Sequence, residues 1–313
     1  MKTETKWGKK SHYFHRFLAN YTFYCNEKNI LLGGFNKQRM SEGITDQKDK
    51  IDIDAILADK APGLKKKLPQ FVVRYLKKIA HQDDLNDFFR RYGHLHGAGF
   101  AKAILEDFHI TIRIEGEENL PENGRVIFAS NHPLGGADGV AILHFLSNHY
   151  KEVKAPVNDM LMHVENLSDF FIPINKMGAL AKDSTTLIND TYESDAAVLF
   201  FPSGMVSRKQ KGGIRDLEWK KTFIAKAIQY KRDIVPLRFI GHNSSFFYNL
   251  GHFRTKLGIK ANIEMLYLVD ELYKQRNKTC TIKIGHSIPW TAFDKTKTQL
   301  EWANWVREKV YNL

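Results

Sequence analysis

The residues best suited to do chemistry lie in one short stretch, Asn131-His132-Pro133-Leu134-Gly135-Gly136-Ala137-Asp138-Gly139. An imidazole near its ordinary pKa takes a proton from a hydroxyl, and a nearby carboxylate holds its tautomer and stabilises the imidazolium. His132 is therefore a candidate general base and Asp138 its orienting partner. Gly135 and Gly136 lack a β-carbon and let the backbone approach a ligand closely. Taken alone, the stretch has a plainer reading, in which His132 is one of 13 histidines and Asp138 merely caps a helix.

A second candidate is Phe201-Pro202-Ser203-Gly204, with Arg208 a few residues on. Its backbone N–H groups and the guanidinium could hold a phosphate or carboxylate. It also fits an ordinary Pro-Gly turn, with Arg208, Lys209 and Lys211 as a solvated basic loop. Val235-Pro236 suits the end of a strand or a bulge. His94, His96, His109, His242, His252 and His286 show no ligand spacing with Cys or Glu, so no metal site is expected. Gly93, Gly97 and Gly99 follow no strand and make no dinucleotide fingerprint, there is no Walker loop, and Ser203 is not in a Gly-x-Ser-x-Gly elbow.

Both candidates sit where apolar runs end. The expected strands are His109 to Ile114, Val126 to Ser130, Phe170 to Ile174, Ala197 to Phe201, Ile234 to Ile240, Ile263 to Val269 and Thr281 to His286. Helical stretches are expected at Val140–His149, Thr185–Glu193, Leu217–Tyr230 and Leu300–Tyr311. Several strands are continuously apolar, as in a sheet buried on both faces, and their alternation with helices implies an α/β fold. The expected architecture is a mixed, largely parallel sheet flanked by helices, with an N-terminal helical region. Polar groups at the C-terminal ends of its strands would then share one edge, where α/β folds place their sites.

Upstream, residues 62–92 read as one amphipathic helix with Pro69 in its first turn. Leu64, Leu68, Phe71, Val72, Tyr75, Leu76 and Ile79 form its apolar stripe, flanked by Lys65, Lys66, Lys67, Arg74, Lys77 and Lys78. Such a helix can lie on an anionic bilayer, or pack its stripe on the main domain. Residues 1–50 have weak periodicity, with seven aromatics between His12 and Phe35, and composition changes near Met40, a possible true start of translation. The expected organisation is an ill-defined extension over 1–50, a helical membrane-associating region over 51–107 and an α/β domain over 108–313.

Composition narrows the function. Hydrophobic content of 43% and charged content of 26% are those of a globular protein. Lys and Arg number 47 against 35 Asp and Glu, a net charge of +12 that implies an anionic partner. Cys25 and Cys280 are too few and too far apart for a disulfide framework, which fits a reducing compartment. No apolar run reaches the 18 or so residues of a membrane span, and no apolar segment typical of a secretory signal follows the basic N-terminus. No nucleic-acid-binding motif accompanies the charge.

Four segments in order resemble the glycerolipid acyltransferase superfamily, which includes the lysophosphatidic acid acyltransferases. Asn131-His132 to Asp138 resembles its first block, an Asn-His followed by four residues and an Asp. Phe171-Ile172-Pro173-Ile174-Asn175-Lys176 resembles the second, which ends Phe-Ile-x-Arg. Phe201-Pro202-Ser203-Gly204-Met205-Val206-Ser207-Arg208 resembles the third, Phe-Pro-Glu-Gly-Thr-Arg-Ser, and Ile234-Val235-Pro236-Leu237 the fourth. The resemblance covers residues 105–290 and has three departures. Five residues rather than four separate His132 from Asp138, which would turn Asp138 by about 100° on a regular helix, so Gly135-Gly136 must form a loop. Lys176 replaces an Arg and loses the planar fork that grips phosphate in two places. Ser203 replaces a Glu.

With these changes the chain is similar to the haemolysin-like bacterial branch associated with aminolipid O-acylation. The resemblance implies transfer of an acyl chain from acyl-CoA or acyl-carrier-protein to the hydroxyl of a lyso-ornithine or lyso-glycine lipid, with no cofactor beyond that co-substrate. It makes His132 and Asp138 the catalytic pair, and Asn131, Gly135, Gly136, Lys176, Ser203, Gly204 and Arg208 the substrate-binding residues. The expected place of work is the cytoplasmic face of the cell membrane, as a peripheral protein on anionic lipid and not on nucleic acid. Two alternatives stand beside this reading: acylation of 1-acylglycerol-3-phosphate, and a non-catalytic, membrane-binding protein.

Overall fold

The computed structural model describes residues 51–60, 62–157, 164–173, 179–259 and 262–313. Its strands are β1 (Thr111–Glu115), β2 (Val126–Ser130), β3 (Val153–Val157), β4 (Phe171–Pro173), β5 (Ala197–Phe200), β6 (Arg208–Gln210), β7 (Gly213–Arg215), β8 (Asp233–Ile240) and β9 (Thr279–Ile284). Its α-helices are α1 (Ile53–Lys60), α2 (Pro62–Lys65), α3 (Gln70–Ile79), α4 (Gln82–Tyr92), α5 (Gly97–Asp107), α6 (Ala137–Ser147), α7 (Ala179–Glu193), α8 (Thr222–Tyr230), α9 (Ser245–Lys256), α10 (Leu268–Tyr273) and α11 (Gln299–Tyr311).

Seven strands form one sheet in the order β1-β9-β8-β2-β5-β3-β4, and β6-β7 make a separate antiparallel ribbon. Every pair in the large sheet is parallel except β8 with β9. The expected mixed, largely parallel sheet is thus present. The C-terminal ends of β4, β3, β5, β2 and β8 share one edge, while β9 and β1 run the other way.

Helices cover both faces, which explains the uninterrupted apolar strands. In β2 all five residues are buried. Val126 and Phe128 enter a core with Phe100 of α5 and Ile142 and Leu146 of α6. Ile127 and Ala129 enter the other, with Phe223 of α8 and Val306 of α11. Arg232, just before β8, is fully buried and donates to the carbonyls of Tyr192 (2.8 Å), Ala196 (2.7 Å), Thr191 (3.1 Å), Val126 (3.5 Å) and Ser194. Burial, helped by Arg125, lowers its pKa to about 10, so it stays charged and staples β2 to the α7–β5 connection, at the edge opposite the strand C-termini.

Several expectations need correction. The helix expected over 62–92 is three helices. Pro69 is not in a first turn but is the extended N-cap of α3 (φ −61°, ψ 148°), because its ring excludes it from a helix interior. His81, left-handed at φ 46°, separates α3 from α4. Its imidazole contacts Asp84 and Asp270 and stacks on Tyr273 at 3.8 Å, tying these helices to α10. The expected stripe also divides: Ile79 is buried and Leu68, Val72 and Leu76 are half-buried, whereas Phe71 and Tyr75 are 66% and 46% exposed, and Val73, outside the stripe, is buried. Residues 263–269 are no strand but a 3-10 turn (Ile263–Tyr267) running into α10; a short apolar run does not distinguish strand from helix. Helix α8 starts at Thr222 rather than Leu217. Three elements lacked any sequence expectation: β3, α9 and the β6-β7 ribbon. Residues 1–50 with Cys25 and the Met40 start, and Ile174, Asn175 and Lys176 of the second block, lie outside the described residues.

Candidate active site

β2 ends at Ser130 and delivers Asn131 and His132 to the edge that the C-termini of β5 and β8 share. His132 Nδ1 lies 3.0 Å from Asp138 Oδ2. Asp138 has no exposed surface and stands in the first turn of α6, where the helix dipole favours a negative charge. It also accepts the N–H groups of Leu134 and Gly139, each at 2.9 Å. The residues between the two partners form the expected loop, with Gly135 at φ +80° and Gly136 as the N-cap of α6. The additional residue is thereby absorbed before the helix begins.

Burial disfavours the charged imidazolium, but the Asp138 charge and hydrogen bond, aided by Asp216, outweigh it and hold His132 above its ordinary pKa. Burial likewise works against the Asp138 carboxylate, and His132 with the two backbone N–H groups overcomes it, holding Asp138 below its ordinary value. Both shifts describe one ion pair. With Nδ1 committed to Asp138, Nε2 is the nitrogen left available, and it has no hydrogen-bond partner among the described residues. The ring lies 4.2 Å from that of Phe201, and 15% of the side chain reaches solvent. The pair can accept a proton at one atom and hold the resulting charge.

Other expected site residues make their contacts within the loops. The Asn131 carboxamide donates to the Phe239 carbonyl (2.9 Å) and accepts its N–H (2.7 Å), extending the β2–β8 register past the strand end. Gly135 lacks space as well as a β-carbon: a Cβ there would stand 2.4 Å from Val206 Cγ2 and 3.3 Å from Leu268. Its absence lets the first block close on the third. Gly136 has nothing within 4 Å of a Cβ position and remains the open glycine of the pair.

In the third block, Ser203 is 5% exposed and its hydroxyl donates to the Met205 carbonyl at 2.7 Å, so it closes its own turn. Gly204 supplies that turn's left-handed residue at φ +63°. Arg208 is held within the fold. Its guanidinium bonds the Val206 carbonyl (2.9 Å), pairs with Glu264 (3.2 Å) and lies over the Phe247 ring. Glu264 is fully buried and is shared with Arg254 at 2.8 Å.

Two residues with a part in the site were not foreseen. Asp216 has no exposed surface and accepts three hydrogen bonds, from the His132 N–H (3.1 Å), the Ser207 hydroxyl (2.6 Å) and Trp219 Nε1 (2.9 Å). The Ser207 N–H in turn donates to the His132 carbonyl at 2.8 Å. Asp216 thus braces the backbone of the residue whose ring Asp138 orients. Its neighbours are exposed and show no periodicity, so the sequence carries no signal for it. Lys220 is exposed, and its ammonium lies 3.4 Å from where a Cβ of Gly204 would be. It forms no ion pair among the described residues, and its exposed place after Trp219 resembles any surface lysine. A separate groove of about 720 Å³, lined by Lys102, His109, Ile112, His144 and neighbours, shares no residue with this site.

Residues 55–313 match the model of a protein family described as "Acyltransferase". Two curated relatives are each 50% identical over 264 residues, 84% of this chain. They are the lyso-glycine lipid O-acyltransferases of Bacteroides thetaiotaomicron, matched over 97% of its length, and of Phocaeicola vulgatus, matched over 95%. Among solved structures, that of the 1-acyl-sn-glycerophosphate (LPA) acyltransferase PlsC from Thermotoga maritima aligns with 78% of this chain and 82% of its own. The TM-score is 0.41 and the identity 16%.

Proposed function

Since this chain belongs to the acyltransferase family, a match that spans residues 55–313, we propose that its acceptor is a lyso-glycine lipid, acylated on its free hydroxyl by an acyl thioester. The non-catalytic alternative falls with that membership and with relatives that are O-acyltransferases at 50% identity. The observation that carries the mechanism is the free Nε2 of a buried His132–Asp138 pair.

His132 Nε2 takes the proton of the acceptor hydroxyl as its oxygen attacks the thioester carbonyl. Asp138 receives the Nδ1–H bond throughout and stabilises the imidazolium. The tetrahedral intermediate collapses, the C–S bond breaks, and the leaving thiolate recovers the proton from Nε2. The products are the ester and a free thiol, on coenzyme A or on a carrier protein. Lys220, the exposed cation beside Gly204, suits the carboxylate of a glycine head group, a role expected from the sequence for Lys176, Ser203, Gly204 and Arg208.

The acceptor is a lipid, and no helix among the described residues is long and apolar enough to cross a membrane. The reading therefore places the protein peripherally on a membrane surface. Purified protein supplied with a labelled acyl thioester should convert lyso-glycine lipid to its diacyl form. Faster turnover of lysophosphatidate would overturn the acceptor assignment.

A further inference from the structure

Two helices from distant parts of the chain turn bulky apolar side chains to solvent, and one tyrosine bridges them. On α9, Phe246, Leu250, Phe253 and Leu257 recur at spacings of four, three and four, which is one helical stripe. Phe246, Phe253 and Leu257 are 49%, 60% and 75% exposed, while Phe247, Tyr248 and Gly251 take the buried side. On α3 the exposed residues Phe71, Arg74, Tyr75 and Lys78 form a second stripe, alternately aromatic and cationic. Tyr267 joins the two. Its hydroxyl is 2.9 Å from that of Tyr75, and its ring is 4.9 Å from Phe246.

Soluble monomers seldom expose a contiguous run of this kind without a partner. The charge around it indicates which partner. Lys66, Lys67, Arg74, Lys78 and Lys256 are exposed and form no ion pair among the described residues. Three of the nearby carboxylates are already engaged, Asp54 by Lys65 and Lys77, Asp270 by His81 and Lys274, and Glu264 by Arg208 and Arg254, while Asp52 and Asp83 act on Lys77 rather than on the exposed cations. What remains is an aromatic and aliphatic ridge with an uncompensated cationic rim, complementary to the boundary between anionic head groups and acyl chains. The ridge also has a fixed relation to the chemistry. Its base is the cluster of Val206, Phe247, Tyr248 and Leu268 with Met265 and Tyr267, and Gly135 closes on Val206 and Leu268.

We propose that α3 and α9 together form the surface that seats this protein in an anionic lipid bilayer, presenting the His132 loop to the leaflet from which the acceptor is drawn. Its purpose rests on the lysolipid reading, but its binding is measurable without any turnover. The full-length protein is sedimented with phosphatidylcholine vesicles, with and without phosphatidylglycerol. Wild-type protein should partition onto the anionic vesicles and release as salt rises. Phe253→Glu/Leu257→Glu should weaken that partition about tenfold or more, because it puts two carboxylates where apolar surface would enter the membrane. Arg74→Glu/Lys78→Glu should weaken binding to anionic vesicles only. Leu300→Glu, the same change at a 39% exposed leucine on α11, should bind as wild type. Exposed sites tolerate such changes, so thermal melting should confirm that each variant is folded, and the milder Phe253→Ser stands in if the double variant is not.

Wild-type protein that ignores anionic vesicles, or an α9 double variant that binds them undiminished, overturns the surface. So does an α9 variant that keeps vesicle binding while losing capture of an acidic acyl-carrier protein. Absence of acyl transfer to lyso-glycine lipid with vesicle binding intact would instead refute the acceptor and leave the surface standing.

Discussion

The loops that leave β2 and β5 lie side by side at the same edge of the sheet, and each turns on a left-handed glycine, Gly135 at φ +80° and Gly204 at φ +63°. They use their polar groups in opposite ways. The β2 loop engages the Asn131 carboxamide, the Asp138 carboxylate and Nδ1 of His132, leaving Nε2 of His132 open. The β5 loop turns its Ser203 hydroxyl and Arg208 guanidinium inward and presents Gly204 and the Lys220 ammonium. Position at a strand's C-terminal end is therefore common to both, and the difference lies in which atoms the local fold has left without a partner. In the proposed mechanism the first loop carries the chemistry, and the second supports it from behind through Val206, Ser207 and Asp216.

That contrast breaks or holds on substitutions in the two loops. His132→Ala should lower kcat by about 10²–10⁴-fold with the melting temperature little changed, as loss of a general base requires. A residual rate above about a tenth of wild type would remove His132 from its role. Asp138→Asn should lower kcat about 10²-fold or more, since the imidazole loses the partner that sets its tautomer. It should also move the pH profile. The neutral imidazole is the active form, and Asp138 raises its pKa, so wild-type kcat/KM should climb with pH through a midpoint above 6.5. The Asn variant should show that midpoint moved down.

Substitutions where the loops touch test the supporting role. Gly135→Ala should destabilise the protein by about 1–3 kcal/mol, from a left-handed alanine and a β-carbon against Val206. Adding Val206→Ala should return part of that loss in thermal denaturation; strict additivity would mean the loops do not press on one another. The smallest effects separate Lys220 from Ser203. Lys220→Ala should raise the KM for lyso-glycine lipid roughly fivefold, the scale of one exposed ion pair. Ser203→Ala should leave that KM within about twofold while removing a turn hydrogen bond worth about 1 kcal/mol. A reversed order would restore Ser203 as a ligand of the acceptor.

Much of the sheet and the His132–Asp138 pairing was legible because burial on both faces writes itself as continuous apolar runs, and the four blocks follow such runs. β3 was not, since Val153-Lys154-Ala155-Pro156-Val157 is buried only at alternate positions and carries a proline. The stripe expected on 62–92 mixed residues of two faces, because Phe71 and Tyr75 lie beside Val72, Leu76 and Ile79 on α3 and only tertiary packing decides which of these neighbours is covered. Within the site, the internal partners of Arg208 and Ser203 were not legible, for one reason. A polar side chain near a loop looks available in sequence, and only the fold shows Glu264 and the Met205 carbonyl already there. Asp216 is the converse case, a carboxylate in exposed surroundings whose three donors come from positions 132, 207 and 219.

The pairing of β1 with β9 sets a timetable for assembly. Thr111 through Glu115 find their register against Thr279 through Lys283, so one edge of the sheet waits for a segment made more than 160 residues later. Contacts this distant in sequence are slow to form. As the chain leaves the ribosome, Ile112 and Ile114 of β1 are without their strand partner until the rest of the sheet has been synthesised. Cooperative closure is thus a late event in this molecule's life, and the reactive loop after β2 is made long before the sheet that holds it is complete.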